Sequence, residues 1–216
     1  MEFLKKLGVE VKNKDMLLTA LTHTSYSNEH NTDNYERLEY LGDAILEAVT
    51  SEYFYLNTNY PEGEMTKLRA NYVCEKALAT YAKSLGIDKY IRLGHGQMHN
   101  LNDTIIADVF EAITACIYLD QGYEVAKKYL DDIIIPYINK NSDFNTDYKT
   151  KLQEAVQTSR KSLEYVLINE YGEAHDKTFE MAVKIDNIIY GKGIGKSKKE
   201  AEQNAALDAL NKSAVK

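Results

Sequence analysis

The period of the hydrophobic pattern changes once along these 216 residues, and that change decides the architecture. Up to Asn139 the apolar positions recur at helical spacing. Leu38, Leu41, Ile45 and Val49 mark a long amphipathic helix over 33–57, closed by Tyr60-Pro61-Glu62-Gly63. A second helical stretch over 64–85 stops at Gly86, a third over 104–120 stops at Gly122, and a fourth spans 123–139. With a shorter pattern over 14–24, residues 1–140 predict an all-α domain whose one long irregular stretch is 94–103. Beyond the Asn/Ser/Asp-rich segment 139–147 the pattern is different. Residues 148–157 are helical again, but 163–171 and 179–185 are strand-like, with Phe179, Met181, Val183 and Ile185 alternating. Asp186-Asn187 turns the chain into 188–193, and Ser197 with Glu200 forms an S-x-x-E capping box before an alanine-rich last helix. The order α-β-β-β-α predicts a small α+β domain over 147–216, joined to the first by a linker at 141–146.

Composition agrees with a helical majority, since there are 11 glycines and only two prolines, Pro61 and Pro136. Cys74 and Cys116 stand apart, outside any CxxC pair or metal-spaced cluster, and read as core thiols in a reducing compartment. The start MEFLKKLGVEVKNK has no apolar core for a signal peptide, and the most apolar stretch, 109–119, is interrupted by Glu111 and Thr114. The expectation is a cytoplasmic protein with no membrane partner. The formal charge of −7 is unevenly spread: residues 1–146 carry 14 Lys and Arg against 22 Asp and Glu, residues 147–216 carry 12 against 11. An acidic first part can hold metal ions and a locally basic second part can hold phosphates, so the acidic total excludes neither.

In NYERLEYLGDAILEAV, Glu36, Glu39 and Asp43 fall at i, i+3 and i+7, on one side of a helix with apolar neighbours. In IIADVFEAITACIYL, Asp108 and Glu111 are again one turn apart inside an almost wholly apolar stretch. Burying unpaired carboxylates costs several kcal/mol each, and clustering them adds repulsion. Ion pairs with Arg37, Lys67 or Arg69 are one compensation. With two separate helices each presenting such a pair, hard divalent cations on oxygen ligands are the better account, Mg²⁺ above all where phosphate is the substrate.

The run YERLEYLGDAIL resembles the motif of the ribonuclease III family, and LTHTSY at 21–26, PEGEMTKLRANYV at 61–73 and IIADVFEAITACIYLDQGY at 105–123 fit in that family's order. The resemblance implies four metal-binding carboxylates, Glu39, Asp43, Asp108 and Glu111, with Asp43 and Glu111 catalytic. It implies hydrolysis of double-stranded RNA by a metal-activated water, leaving 5′-phosphate and 3′-hydroxyl ends, with Mg²⁺ as cofactor and Mn²⁺ as a substitute. Glu36 and Glu62 take supporting roles, against the blander readings of a surface ion pair and a solvated turn. His23, within LTHTSY, reads as a packed, hydrogen-bonded residue. Two departures stand out. The loop 94–100 is short and weakly basic, with Gln97 where Glu is common, and Tyr40 replaces a Phe that in relatives inserts into the partner subunit. A ring is kept at 40, so a homodimer with Tyr40 as contact is expected.

Lys196, Lys198 and Lys199 gather at the start of the last helix beside Gly191, Gly193 and Gly195, a phosphate site rather than a good cap. With the α-β-β-β-α order, KKEAEQNAA resembles the double-stranded RNA-binding domain. That resemblance places Gln153 and Glu154 on one minor groove and His175, in GEAHDKTF, on the next, with recognition by A-form shape. The combined reading is an endoribonuclease acting on ribosomal RNA precursors and other structured transcripts, messenger RNAs among them. A non-catalytic RNA-binding or ribosome-associated protein would show substitutions among the four carboxylates, and a hydrolase of small phosphate esters leaves 147–216 without a task.

Overall fold

The structure, a computed structural model, describes residues 2–6, 8–98, 100–144, 147–157, 161–173 and 176–213. The chain divides into two compact units, Met1–Phe144 and Asn145–Lys216. The first is helical: α1 (Glu2–Lys6), α2 (Lys14–Ala20), α3 (Thr24–His30), α4 (Glu36–Asn57), α5 (Glu62–Val73), α6 (Glu75–Leu85), α7 (Asp103–Gln121) and α8 (Tyr123–Asn139). Short 3-10 turns occupy Ile87–Tyr90 and His95–Gln97.

Helix α7 is the axis of this unit. Val109, Phe110, Ala112, Ile113, Ala115, Cys116 and Ile117 are buried, so it is apolar nearly all round and must be enclosed by its neighbours. Leu46 and Val49 of α4, Leu78 and Tyr81 of α6 and Leu130 and Tyr129 of α8 close around it. Asn102 caps its start, its side chain accepting from the Ile105 N–H at 3.0 Å, and Gly122 stops it at φ 86°. Cys116 is buried and Cys74 half-buried, both as free thiols.

The stretch 64–85, read from sequence as one helix, is two. The chain leaves the α-region at Cys74, with ψ 157°, where α5 ends and α6 begins. A long-range contact explains the break. Asn71 donates through Nδ2 to the carbonyl of Ser142 at 3.0 Å and accepts at Oδ1 from the Phe144 N–H at 2.8 Å. The Phe144 ring then seats among Tyr72, Tyr81 and Tyr137. Local periodicity carries no trace of a partner 70 residues away.

The second unit is α9 (Tyr148–Gln157), an antiparallel sheet β1 (Leu163–Tyr171), β2 (Thr178–Ile185) and β3 (Ile188–Gly195) in that order, and α10 (Lys198–Ser213). This is the α-β-β-β-α arrangement that the sequence predicts. Its core joins Leu152 and Val156 of α9, Val183 and Ile185 of β2 and Ala205, Ala206 and Ala209 of α10. Helix α10 lies against β3 because β3 lacks side chains there: a β-carbon on Gly193 would come within 2.2 Å of the Ala205 nitrogen. Ser197 accepts at Oγ from the Glu200 N–H at 3.2 Å, the first half of the capping box. The Glu200 carboxylate accepts from the Lys196 N–H at 2.7 Å, one residue earlier than the box requires.

Candidate active site

Helices α4 and α7 meet at Gly42. A β-carbon at that position would lie 1.9 Å from the Glu111 carbonyl oxygen, so the two backbones are in contact there. This crossing brings together carboxylates about 70 residues apart in sequence: Glu39 and Asp43 flank Gly42, while Asp108 and Glu111 face them from α7. The electrostatics record the proximity. Burial and the charges of Asp43, Glu39 and Asp108 push the Glu111 carboxyl up to about 8. Burial, then Asp108, Glu36 and Asp43, also raise Glu39. Asp108 is raised by burial, a shift opposed by a hydrogen bond from Tyr35 and by His23. The Tyr35 hydroxyl donates to Asp108 Oδ2 at 3.0 Å and is itself held above its ordinary range, chiefly by burial, so it stays protonated.

Among the described residues, ion pairs do not compensate Glu39, Asp43 or Glu111. Arg69 donates instead to Ser51 Oγ at 3.1 Å, and among the described residues no Lys or Arg pairs with Glu39, Asp43 or Glu111. The donor set is all hard oxygen, half-buried on α7 and more open on α4, which suits a divalent cation bound to phosphate. The carboxylates share one face without forming a closed ligand cage, and among the described residues no three His, Cys, Asp or Glu side chains converge tightly enough to hold an ion as they stand.

The remaining acidic positions have local partners. Glu36 is exposed and accepts from the Thr24 hydroxyl at 2.8 Å, tying the start of α4 to α3. Glu62, at the start of α5, accepts from the Thr66 hydroxyl at 3.0 Å. His23 caps α3, its Nδ1 accepting from the Ser25 N–H at 3.1 Å, as a packed residue would. Tyr40 is 84% exposed on α4, one residue from Glu39. An open hollow of about 720 Å³ beside Asn13, Asp33, Arg37, Leu38 and Leu119 is lined by none of the four carboxylates. Sequence reasoning passed over Tyr35 and Gly42. A glycine inside a long helix costs about 1 kcal/mol against alanine, and that cost was the available signal of a close approach.

A model of ribonuclease-III-like domains matches residues 13–138, and one of the double-stranded RNA binding motif matches 148–213. Ribonuclease 3 of Streptococcus thermophilus is 46% identical over 212 residues, spanning 94% of this chain and 93% of that protein. The chain belongs to the ribonuclease III family. It is an endoribonuclease for double-stranded RNA with its RNA-binding motif at the C-terminal end. Ribonuclease 3 of Listeria monocytogenes is 42% identical across 98% of this chain. The solved nuclease domain of ribonuclease III from Campylobacter jejuni is 37% identical with a TM-score of 0.59, covering 62% of this chain and 95% of that domain.

In this ribonuclease III chain the lysines at the start of α10 are all exposed. Lys196 pairs with Asp176 Oδ1 at 2.6 Å, and Lys198 lies 5.9 Å from the centre of the Phe179 ring. Gln153 and Glu154 are exposed on α9, opposite buried Leu152 and Val156. His175 lies outside the described residues. Among the described residues no helix is long and apolar enough to cross a membrane.

Proposed function

We propose that this chain acts as a homodimer, in the cytoplasm, with Mg²⁺ as its metal and Mn²⁺ able to replace it, on ribosomal RNA precursors and other structured transcripts. The observation that carries the reading is the contact of Gly42 with Glu111, because it brings Glu39 and Asp43 up to Asp108 and Glu111, and among the described residues no Lys or Arg pairs with Glu39, Asp43 or Glu111. Glu39, Asp43, Asp108 and Glu111 hold the metal, with Asp43 and Glu111 nearest the chemistry. Bound there, Mg²⁺ would lower the pKa of a water and offset the charge that builds on the phosphate in the transition state. Glu111 sits deepest, where its own charge is least favoured, so cation binding and loss of its proton are coupled. Glu36 and Glu62 support from the rim: Glu36 anchors the first turn of α4, and Glu62 opens α5.

Residues 1–140 form the catalytic domain and 147–216 the RNA-binding domain, with 141–146 between them. Gln153, Glu154, His175, Lys196, Lys198 and Lys199 contact the duplex, through shape and phosphates rather than base edges. Tyr40 supports the dimer, as an aromatic ring left almost bare. The nuclease domain from Campylobacter jejuni has a region involved in dimer formation. Two-fold symmetry would offer each strand of a duplex its own carboxylate cluster. Incubating the purified chain with end-labelled duplex RNA, with and without Mg²⁺, tests the reading. Cleavage to 5′-phosphate and 3′-hydroxyl ends only with the metal is expected; equal cleavage in excess chelator would refute it.

A further inference from the structure

One residue touches both halves of the carboxylate cluster. Tyr35 is 4% exposed and stands immediately before α4, where its side chain makes no cap. Its N–H donates to the Thr22 carbonyl at 3.0 Å, and its carbonyl accepts from the Glu39 N–H at 2.9 Å and the Leu38 N–H at 2.8 Å. The first turn of α4, which carries Glu39, is therefore hung on the Tyr35 backbone. Its ring lies 5.8 Å from that of His23, and its hydroxyl reaches across to Asp108 Oδ2 on α7. Among the described residues this is the one hydrogen bond that any of Glu39, Asp43, Asp108 or Glu111 receives on its side chain.

We propose that Tyr35 is a positioning residue, whose hydroxyl fixes the Asp108 carboxylate in the orientation that presents its other oxygen to a divalent cation. The proposal rests on Asp108 being a metal ligand. A carboxylate on a helix turns about two side-chain bonds, and one held oxygen removes most of that freedom before the cation arrives. Tyr123 provides an internal comparison: its hydroxyl donates to Glu52 at 2.8 Å, the same type of bond outside the cluster.

The test measures Mn²⁺ binding to the full chain without RNA, by water-proton relaxation, in Tyr35→Phe, Tyr123→Phe, Asp108→Asn and the double variant Tyr35→Phe/Asp108→Asn. Loss of an outer partner of a metal ligand typically weakens metal affinity 10–100-fold, and about tenfold is expected for Tyr35→Phe. Tyr123→Phe should bind as the parent does. In the Asp108→Asn background, removing the Tyr35 hydroxyl should cost nothing further, which separates positioning from general damage to the fold. Cleavage by Tyr35→Phe should recover as Mn²⁺ is raised, at unchanged duplex affinity. Parental Mn²⁺ affinity in Tyr35→Phe, with Asp108→Asn impaired, would overturn the positioning role and leave the metal site standing. Parental affinity in Asp108→Asn would overturn both. Should Tyr35→Phe unfold, the hydroxyl's task is structural and the proposal fails.

Discussion

Gly42 and Glu111 approach so closely that no β-carbon fits between them. The obstacle is main-chain carbonyl rather than a side chain that could turn aside, so the helices themselves would have to part. Gly42→Ala gains about 1 kcal/mol of helix propensity and incurs an overpacking cost of typically 1–3 kcal/mol, more where backbone must move. The clash wins. We expect a lower melting temperature, and a fall in turnover that persists where the variant is fully folded, because Glu39 and Asp43 are displaced from Asp108 and Glu111. A melting temperature at or above the parent's would show that the crossing tolerates a side chain.

Removing charge without volume separates chemistry from fold. Glu111→Gln and Asp108→Asn should each keep the helical circular dichroism signal and duplex affinity of the parent and lose most cleavage, by 10²-fold or more in order of magnitude for a lost ligand at a charge-stabilising site. Full activity of either variant at moderate Mg²⁺ removes that residue from the site.

Much of the cluster was legible because its members obey helical spacing: Glu39 and Asp43 are four apart, Asp108 and Glu111 three, and each pair interrupts an apolar face. Spacing alone left the two pairs apart and only the family resemblance put them in one site; the contact that joins them had no local trace, since it depends on a missing side chain at Gly42 and on a hydroxyl at Tyr35, 73 residues from its acceptor. The break at Cys74 was hidden for the same reason, being set by Asn71 holding Ser142 and Phe144. In the second unit every element follows from local pattern, because its strands are consecutive and antiparallel and its helix rests on an alternating run of glycines.

The raised Glu111 carboxyl makes a stability prediction with a definite sign. Its folded value of about 8 lies above its ordinary 4.5, so protonation favours the folded chain. That contribution is fully present below pH 4.5 and is lost as the pH rises through 8. In chelator, Glu111→Gln should therefore melt higher than the parent at pH 8.5, by roughly 5 °C for a contribution near 2 kcal/mol, and show little advantage at pH 4. Thermal scans with an equal gap at both pH values would show that the carboxyl is not strained by burial and its neighbours.

Tyr40 tests assembly. An aromatic ring 84% exposed beside Glu39 has no packing role within its own chain, so Tyr40→Ala should leave the monomer's thermal stability nearly unchanged. It should raise the dimer dissociation constant at least tenfold if the ring anchors a two-fold contact. Light scattering over a dilution series reads both states. A mutant that stays dimeric wherever the parent does places the interface elsewhere.

Grip and cleavage should come apart in the lysine variants. If Lys198 and Lys199 neutralise phosphates, changing both to Ala should weaken binding across all duplex sequences and make the slope of log K against log salt shallower by about 1.8, at roughly 0.9 per contact. Lys196 differs because Asp176 already holds it at 2.6 Å in an exposed pair, which competes with phosphate for the ammonium but is itself worth little. Asp176→Asn should therefore tighten duplex binding a few-fold and steepen the slope. At low salt and saturating RNA the lysine double variant should regain most of its turnover, since the carboxylates between α4 and α7 are untouched, whereas Glu111→Gln should stay inactive at any RNA concentration. A salt slope identical to the parent's in the double variant would mean that these lysines are an ordinary solvated helix start and that the duplex is held by other groups.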